Sequence, residues 1–318
     1  DWVTIYKKLA VFCFILFLFQ KIQATSIRSF VIPTIQEKSS LIVPFTLNGG
    51  LIIIQAKIND SIGNFVIDTG AEGLVLNSQH FKGVRDDSRG YYGLSGRGKA
   101  LTVSYDNAVK VNGLEFNNVD ADVVDLSSIE LKKGLKILGL IGFNLLKDYE
   151  IMFNYRGRFI ALSAVDNKGN VIDPMPYILN KKDSLSFILG NFIPVIDVTV
   201  NGVKKKFGID SGAEINLLDL KRSKDIMSQF TPIRTISLTG SDGKDSEVIA
   251  GRLYRVAILE IYRCATMATV LMNMNNLNKI YQSNLDGILG FEFLSPWLFS
   301  INYKKQKLYL HQLKVINP

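Results

Sequence analysis

The hexapeptide Ile67-Asp68-Thr69-Gly70-Ala71-Glu72 returns 142 positions later as Ile209-Asp210-Ser211-Gly212-Ala213-Glu214. From average residue usage, Asp followed by Thr or Ser and then Gly arises on the order of a tenth of a time in a chain this long. Two copies, each preceded by Ile and followed by Ala-Glu, therefore mark a duplication. The duplication extends outward at the same offset: Phe45–Ile58 lies over Phe187–Val200, and Phe65 falls on Phe207. Downstream the offset grows to 148, where Ile137–Leu146 lies over Leu285–Leu294 and Phe153–Leu162 over Ile301–Leu310. A net insertion of six residues in the second copy accounts for the drift.

Each copy reads as β. Leu51–Ile54 and Ile193–Val200 are β-branched runs bounded by Gly and Asn. Val109–Val111 and Leu114–Phe116 flank Asn112-Gly113, a hairpin signal, and Asn201-Gly202 gives another in the second copy. Helical periodicity is scarce; Asn216–Met227 and Phe143–Asp148 are the two stretches expected to hold short helices.

Composition narrows the function. Hydrophobic residues make up 47% of the chain, enough for two cores. The net charge of +8 comes from scattered Lys and Arg, with only a short run at Lys204–Lys206, so it describes a solvated surface. No basic face with interleaved aromatics is present, and no nucleic-acid partner is expected. The two histidines, His80 and His311, are far apart in sequence and have no ligand-spaced companions, so neither a metal site nor a Ser-His-Asp arrangement is expected. The glycines of Gly93–Lys99 fit neither a phosphate-binding nor a dinucleotide loop, and no cofactor is expected. Beyond Cys13 in the leader, Cys264 is the one cysteine, which precludes an internal disulfide in the mature chain. It falls on Phe116 in the repeat and is expected to be a buried, inert thiol.

The repeated hexapeptides suit one chemistry. Hydrolysing an amide without a metal needs a base to activate water and an acid to protonate the carbonyl oxygen. Two facing carboxylates cannot both ionise, so Asp68 and Asp210 together would hold one proton and supply both roles. Gly70 and Gly212 have no Cβ and would let the two loops approach closely. The hydroxyls of Thr69 and Ser211 are placed to bond across to the opposite loop, and Ala71 and Ala213 add no further hydroxyl.

These features make the chain resemble the retropepsin-like aspartic peptidases, in a single-chain form similar to bacterial exported aspartyl proteases. The family pattern is apolar–Asp–Thr/Ser–Gly–Ala followed by two apolar residues and Gly. Here the second element is Leu140-Ile141-Gly142 in one copy and Ile288-Leu289-Gly290 in the other. The resemblance implies an all-β fold of two homologous β-barrel lobes related by a pseudo-twofold axis, with the active cleft between them. It implies Asp68 and Asp210 as the catalytic pair, a peptide or protein substrate, and action as a monomer that is internally a pseudo-dimer. Glu72 and Glu214 sit where retroviral relatives carry a substrate-binding Asp; a solvated or salt-bridged loop Glu is the alternative. Gly93–Lys99 and Ser237–Lys244 hold matching places, with Gly96 on Gly240, and are the candidate flaps, Tyr91 or Tyr92 being the candidate flap tyrosine. A catalytically inactive peptide-binding protein is the alternative function; a glycosidase suits two identical loops less well, because its two carboxyls have different roles.

Lys7-Lys8, the apolar run Leu9–Phe19 and Ile22-Gln23-Ala24 read as an export signal, with an uncleaved anchor as the alternative. The expected layout is a signal peptide over 1–24, a leader or strand over 25–40, a first lobe over 41–165, a linker over 166–186 containing Pro174 and Pro176, and a second lobe over 187–318. The protein is expected to be periplasmic or secreted, meeting a membrane only through an uncleaved leader.

Overall fold

Asn-Gly at 112–113 and at 201–202 forms the turn its chemistry demands. Asn112 and Gly113 adopt φ of 45° and 91°, and Asn201 and Gly202 adopt 49° and 84°. Both residues of such a turn need positive φ, which Asn and Gly tolerate best. The turns set the register of two hairpins, Val111 opposite Leu114 and Val200 opposite Val203. The computed structural model describes residues 40–86, 91–93, 96–98, 101–173, 179–239 and 245–313. The leader 1–24, the segment 25–39, Pro174, Pro176 and Gly240 lie outside the described residues.

The chain is all-β, and its two copies build the same sheet twice. In the first, eight strands run in the order 46–48, 51–58, 61–67, 137–141, 74–77, 114–124, 101–111 and 84–86. Strand Leu51–Ile58 also pairs with Leu101–Val111, through Lys57 opposite Lys110 and Ile58 opposite Val109, which closes the sheet into a barrel. The second sheet has the order 188–190, 193–200, 203–209, 287–289, 216–219, 262–272, 245–258 and 230–239. It closes at the equivalent place, with Thr199 opposite Ala257 and Val200 opposite Val256. Two similar sequences thus give two lobes of one topology. Phe65 and Phe207, equivalents in the repeat, are both fully buried in them.

A six-stranded sheet joins the lobes, in the order 40–44, 159–164, 149–154, 299–302, 307–313 and 179–186. Its central antiparallel pair sets Ile151 against Ile301 and Phe153 against Phe299. The repeat offset maps one of these pairs onto the other, as a pseudo-twofold axis between the strands requires. Phe153 stacks on Phe299 at 4.9 Å between ring centroids. On either side Tyr155 meets Phe291 edge-on at 5.5 Å and Tyr303 meets Phe143 at 4.9 Å, again as symmetry mates. These aromatics, four buried and Phe143 and Phe291 partly so, weld the lobes into a single core.

Several local expectations change. Asn216–Asp219 is a strand, not the start of a helix, because Asn216 pairs with Thr269 and Leu217 with Ile288 inside the second barrel. Only Lys224–Gln229 coils, as a 3-10 turn. Phe143–Leu146 is a short helix as expected. Two helices were not anticipated, Ser127–Lys133 and Asn275–Ile280, which are equivalent in the repeat. The first had a legible start and stop: Asp125 accepts the Ser127 N–H at 2.9 Å, and Gly134 ends the helix at φ 58°. Leu179–Ser186, in the expected linker, forms an edge strand paired with Lys307–Leu313. Cys264 is half-buried rather than buried, on the strand Tyr262–Met272.

Candidate active site

Each hexapeptide forms the loop between two strands of its barrel. Asp68 follows Ser61–Ile67, and Asp210 follows Val203–Ile209. The strand Ile137–Ile141 runs parallel to the first of these and antiparallel to Leu74–Asn77, so it lies beneath the loop. There Asp68 N–H donates to Ile141 O at 3.0 Å, and Phe143 N–H to Ala71 O at 2.9 Å. The second lobe repeats both bonds, from Asp210 to Leu289 O at 3.0 Å and from Phe291 to Ala213 O at 2.8 Å. The glycine of the apolar-apolar-Gly element is needed for this approach, since a Cβ on Gly142 would stand 2.5 Å from Ala71 O.

The two loops meet across the axis and hold each other through four hydrogen bonds. Thr69 N–H donates to Ser211 Oγ at 3.1 Å, and Ser211 N–H donates to Thr69 Oγ1 at 2.9 Å. Each hydroxyl then donates onward to the strand of the other lobe, Thr69 to Ile209 O at 3.2 Å and Ser211 to Ile67 O at 2.9 Å. Both hydroxyls are fully used, as expected for polar groups buried this deeply.

The grip brings the carboxyls of Asp68 and Asp210 face to face within hydrogen-bonding reach. Each lies over the glycine of the opposite loop. A Cβ on Gly70 would stand 2.5 Å from Asp210 Oδ2, and one on Gly212 would stand 2.4 Å from Asp68 Cγ. Gly70 N–H donates to Asp68 Oδ1 at 2.9 Å and Gly212 N–H to Asp210 Oδ1 at 2.8 Å, which fixes one oxygen of each carboxyl. Asp68 is 1% and Asp210 0% exposed. Burial pushes Asp68 well above the usual carboxylate range, and the charge of Asp210 adds to it. Burial also raises Asp210 to about 6, opposed by the N–H of Gly212 and by its bond with Asp68. The pair can share one proton and titrate as a unit.

Ala71 and Ala213 are buried beside the carboxyls. Glu72 is half-buried, and its carbonyl accepts the Asn144 N–H at 2.8 Å. Glu214 is in an ion pair with Lys133 across the lobes, the two side chains being 9% and 8% exposed. Gly96 lies in a small hairpin of Tyr91–Gly93 with Gly96–Gly98, and the backbone of Tyr91–Gly93 passes against the helix Asn275–Ile280 of the other lobe. The side chains of Tyr91 and Tyr92 lie outside the described residues. His80 is elsewhere, bonded to Glu130 at 2.6 Å, and His311 to Ser300 at 2.9 Å. Among the described residues no group of three or more His, Cys, Asp or Glu could hold a metal ion, and no helix is long and apolar enough to cross a membrane.

Residues 54–145 match the model of a family described as aspartyl protease. This stretch, which holds Asp68 and the Leu140-Ile141-Gly142 element, is an aspartyl protease domain of the retropepsin-like type. No curated protein matches the chain. The second copy lies outside the matched residues and is tied to the first by the internal repeat.

The Glu214–Lys133 pair makes a testable point about stability. Burial lifts Glu214 from its ordinary 4.5 to about 7, outweighing the charges of Lys133 and Lys132. The folded protein therefore keeps a proton on Glu214 that the unfolded chain sheds between these two values. Stability must fall as pH rises through that window, by about 3 kcal/mol at most. Calorimetric Tm should drop between about pH 5 and pH 8, and Glu214→Gln should flatten the drop. A Tm profile unchanged by Glu214→Gln would contradict the assignment.

Proposed function

We propose that the protein is an aspartic endopeptidase that hydrolyses peptide bonds with a water activated between Asp68 and Asp210. One observation carries this reading: each carboxyl lies against the other loop's glycine, within hydrogen-bonding reach of its partner, in a reciprocal grip of Thr69 and Ser211. The ionised carboxyl takes a proton from the water as its oxygen attacks the peptide carbonyl carbon. The protonated carboxyl gives its proton to the carbonyl oxygen, forming a tetrahedral diol. Collapse of the diol breaks the C–N bond as one of its hydroxyls returns a proton to the carboxyl that gave one, and the proton taken from water passes to the leaving amine, which leaves the pair with one proton again. Thr69, Gly70, Ala71, Ser211, Gly212 and Ala213 hold the pair in place. The hairpin bearing Gly96 acts as a flap that closes over the substrate backbone and excludes water. Glu72 lies beside the first loop as a substrate-backbone acceptor, while Glu214 is engaged with Lys133.

Both aspartates come from one polypeptide, so the active species in this reading is a monomer. We place the enzyme outside the cytoplasm, on the strength of Lys7-Lys8, the apolar run Leu9–Phe19 and Ile22-Gln23-Ala24.

The test is to incubate the full chain with a peptide library and read new termini by mass spectrometry. A peptide with a non-hydrolysable hydroxyl in place of the scissile carbonyl serves as inhibitor. Internal cleavage that the inhibitor suppresses is expected. Peptide binding by folded protein without cleavage, across acidic to neutral pH, would make it a binding protein instead.

The alanines beside the dyad predict its working pH. The backbone N–H groups of Ala71 and Ala213 help to hold down the neighbouring carboxyls, and Ser at both positions would add a hydroxyl donor on each side. Donors stabilise the charged form and lower the pKa. The profile of kcat/KM against pH should be bell-shaped and mildly acidic in the wild type. In Ala71→Ser/Ala213→Ser it should move toward acid by about one unit. An unmoved or alkaline-shifted profile would mean that burial alone sets the dyad.

A further inference from the structure

The repeat places Tyr281 on Lys133 at the offset of 148, each at the end of the short helix that its lobe carries before the apolar-apolar-Gly element. Both side chains cross to the other lobe's active loop. Lys133 reaches Glu214, and the Tyr281 hydroxyl donates to Gly70 O at 3.3 Å. The two halves of the site are therefore fastened by the same device with different chemistry. Lobe two is held by the Lys133 ammonium on the Glu214 carboxyl, four residues beyond its aspartate. Lobe one is held by a neutral hydrogen bond, two residues beyond its own.

Tyr281 has no freedom to be elsewhere. It is 0% exposed, and Phe192 packs edge-on against its ring with centroids 5.4 Å apart. The charged groups that act on its hydroxyl are Asp210 and Asp68. Burial and these charges push its ionisation well above the usual range, so it remains a neutral donor wherever the dyad works. Its acceptor matters because Gly70 is the hinge of the dyad. Gly70 N–H holds Asp68 Oδ1, and Gly70 Cα faces the Asp210 carboxyl. A bond that fixes the Gly70 carbonyl fixes the Gly70–Ala71 peptide plane, whose Ala71 N–H also acts on the Asp68 carboxyl.

Resting on the peptidase reading above, we infer that Tyr281 is a positioning residue: through Gly70 O it holds the lobe-one loop at the separation from Asp210 that a shared proton requires. It touches neither the substrate nor the reacting atoms. Its contribution should appear in kcat rather than KM, because the binding surfaces are left in place.

The test is Tyr281→Phe, which keeps the ring against Phe192 and removes only the hydroxyl. Expected is a fall in kcat of about tenfold, the weight of one buried hydrogen bond, with KM within twofold and a native circular dichroism spectrum. A second readout does not need turnover: the titration of the Asp68 and Asp210 carboxyls followed by 13C NMR of labelled aspartate. In Tyr281→Phe the two steps should move closer together, as expected of a looser pair. A wild type that does not cleave peptides sinks the peptidase reading alone, and the titration then decides for Tyr281. Unchanged kcat or an unchanged titration in folded Tyr281→Phe overturns the inference. Should this variant lose Tm, Phe192→Leu provides the comparison. It loosens the ring without removing the hydroxyl, so equal loss of kcat at equal loss of Tm would reduce Tyr281 to packing and overturn the inference as well.

Discussion

Asp68→Asn and Asp210→Asn should each lower kcat for peptide hydrolysis by about a thousandfold or more. Each replaces a group that gives or takes a proton with an amide of the same shape that does neither. The losses should not add in the double variant, because the two carboxyls act as one unit. The fold should survive. Asp68 accepts from Gly70 N–H and Asp210 from Gly212 N–H through Oδ1, and the amide oxygen of Asn can accept the same bond. Both native carboxyls are raised by burial, so a neutral side chain removes a cost that the folded state bears at neutral pH. Tm at about pH 7.5 should therefore hold or rise while turnover vanishes. Near-wild-type kcat in either variant, measured on protein free of contaminating peptidase, would refute a shared dyad.

Gly212→Ala should be nearly as damaging, for a steric reason. Its Cβ would lie 2.4 Å from Asp68 Cγ and 2.6 Å from Asp68 Oδ2, closer than real Cβ contacts come. The carboxyl cannot turn aside without giving up the Gly70 N–H, and the loop cannot retreat without breaking the Thr69–Ser211 grip. The lobes must part at the dyad. We expect a loss of at least about a hundredfold in kcat, the scale set by about one ångström of misplacement of catalytic groups. Overpacking should cost about 1–3 kcal/mol of stability. Gly73→Ala is the control in the same region, since the nearest atom to its Cβ would be Asn144 Nδ2 at 3.4 Å. That variant should retain turnover within a few-fold. Equal losses in both variants would show a general sensitivity of the loop and not the close approach of the two halves.

Much of the site was legible because the relevant constraints are local. A loop that must pack its backbone against a carboxyl needs Gly at one position, and a short hydroxyl residue beside it can reach across. The repeat exposed both requirements twice. The two-residue Asn-Gly turns and the short helix Phe143–Leu146 were legible for the same reason. Asn216–Asp219 was misread because Leu217 and Leu218 suit a buried strand as well as a helix. Only pairing with Gly287–Leu289 and Tyr262–Met272 decides between them. The repeat itself held the correction, since Asn216–Asp219 falls on the strand Leu74–Asn77. The helices Ser127–Lys133 and Asn275–Ile280 are too short for periodicity to reveal.

The sequence by itself determined that the chain is a duplicated β structure, that two aspartates share one local setting, and that their loops can touch. These follow from self-similarity and from the steric demands of single positions. Tertiary structure alone decided which unlike residues lie across the pseudo-twofold axis: Lys133 against Glu214, Tyr281 against Gly70, Phe143 against Tyr303. A repeat alignment pairs residues that occupy the same place in each lobe. On the axis itself contact pairs like with like, as Thr69 with Ser211, but away from it contact pairs residues that occupy different places, and that pairing is fixed only when the six-stranded sheet and its aromatics lock the lobes together.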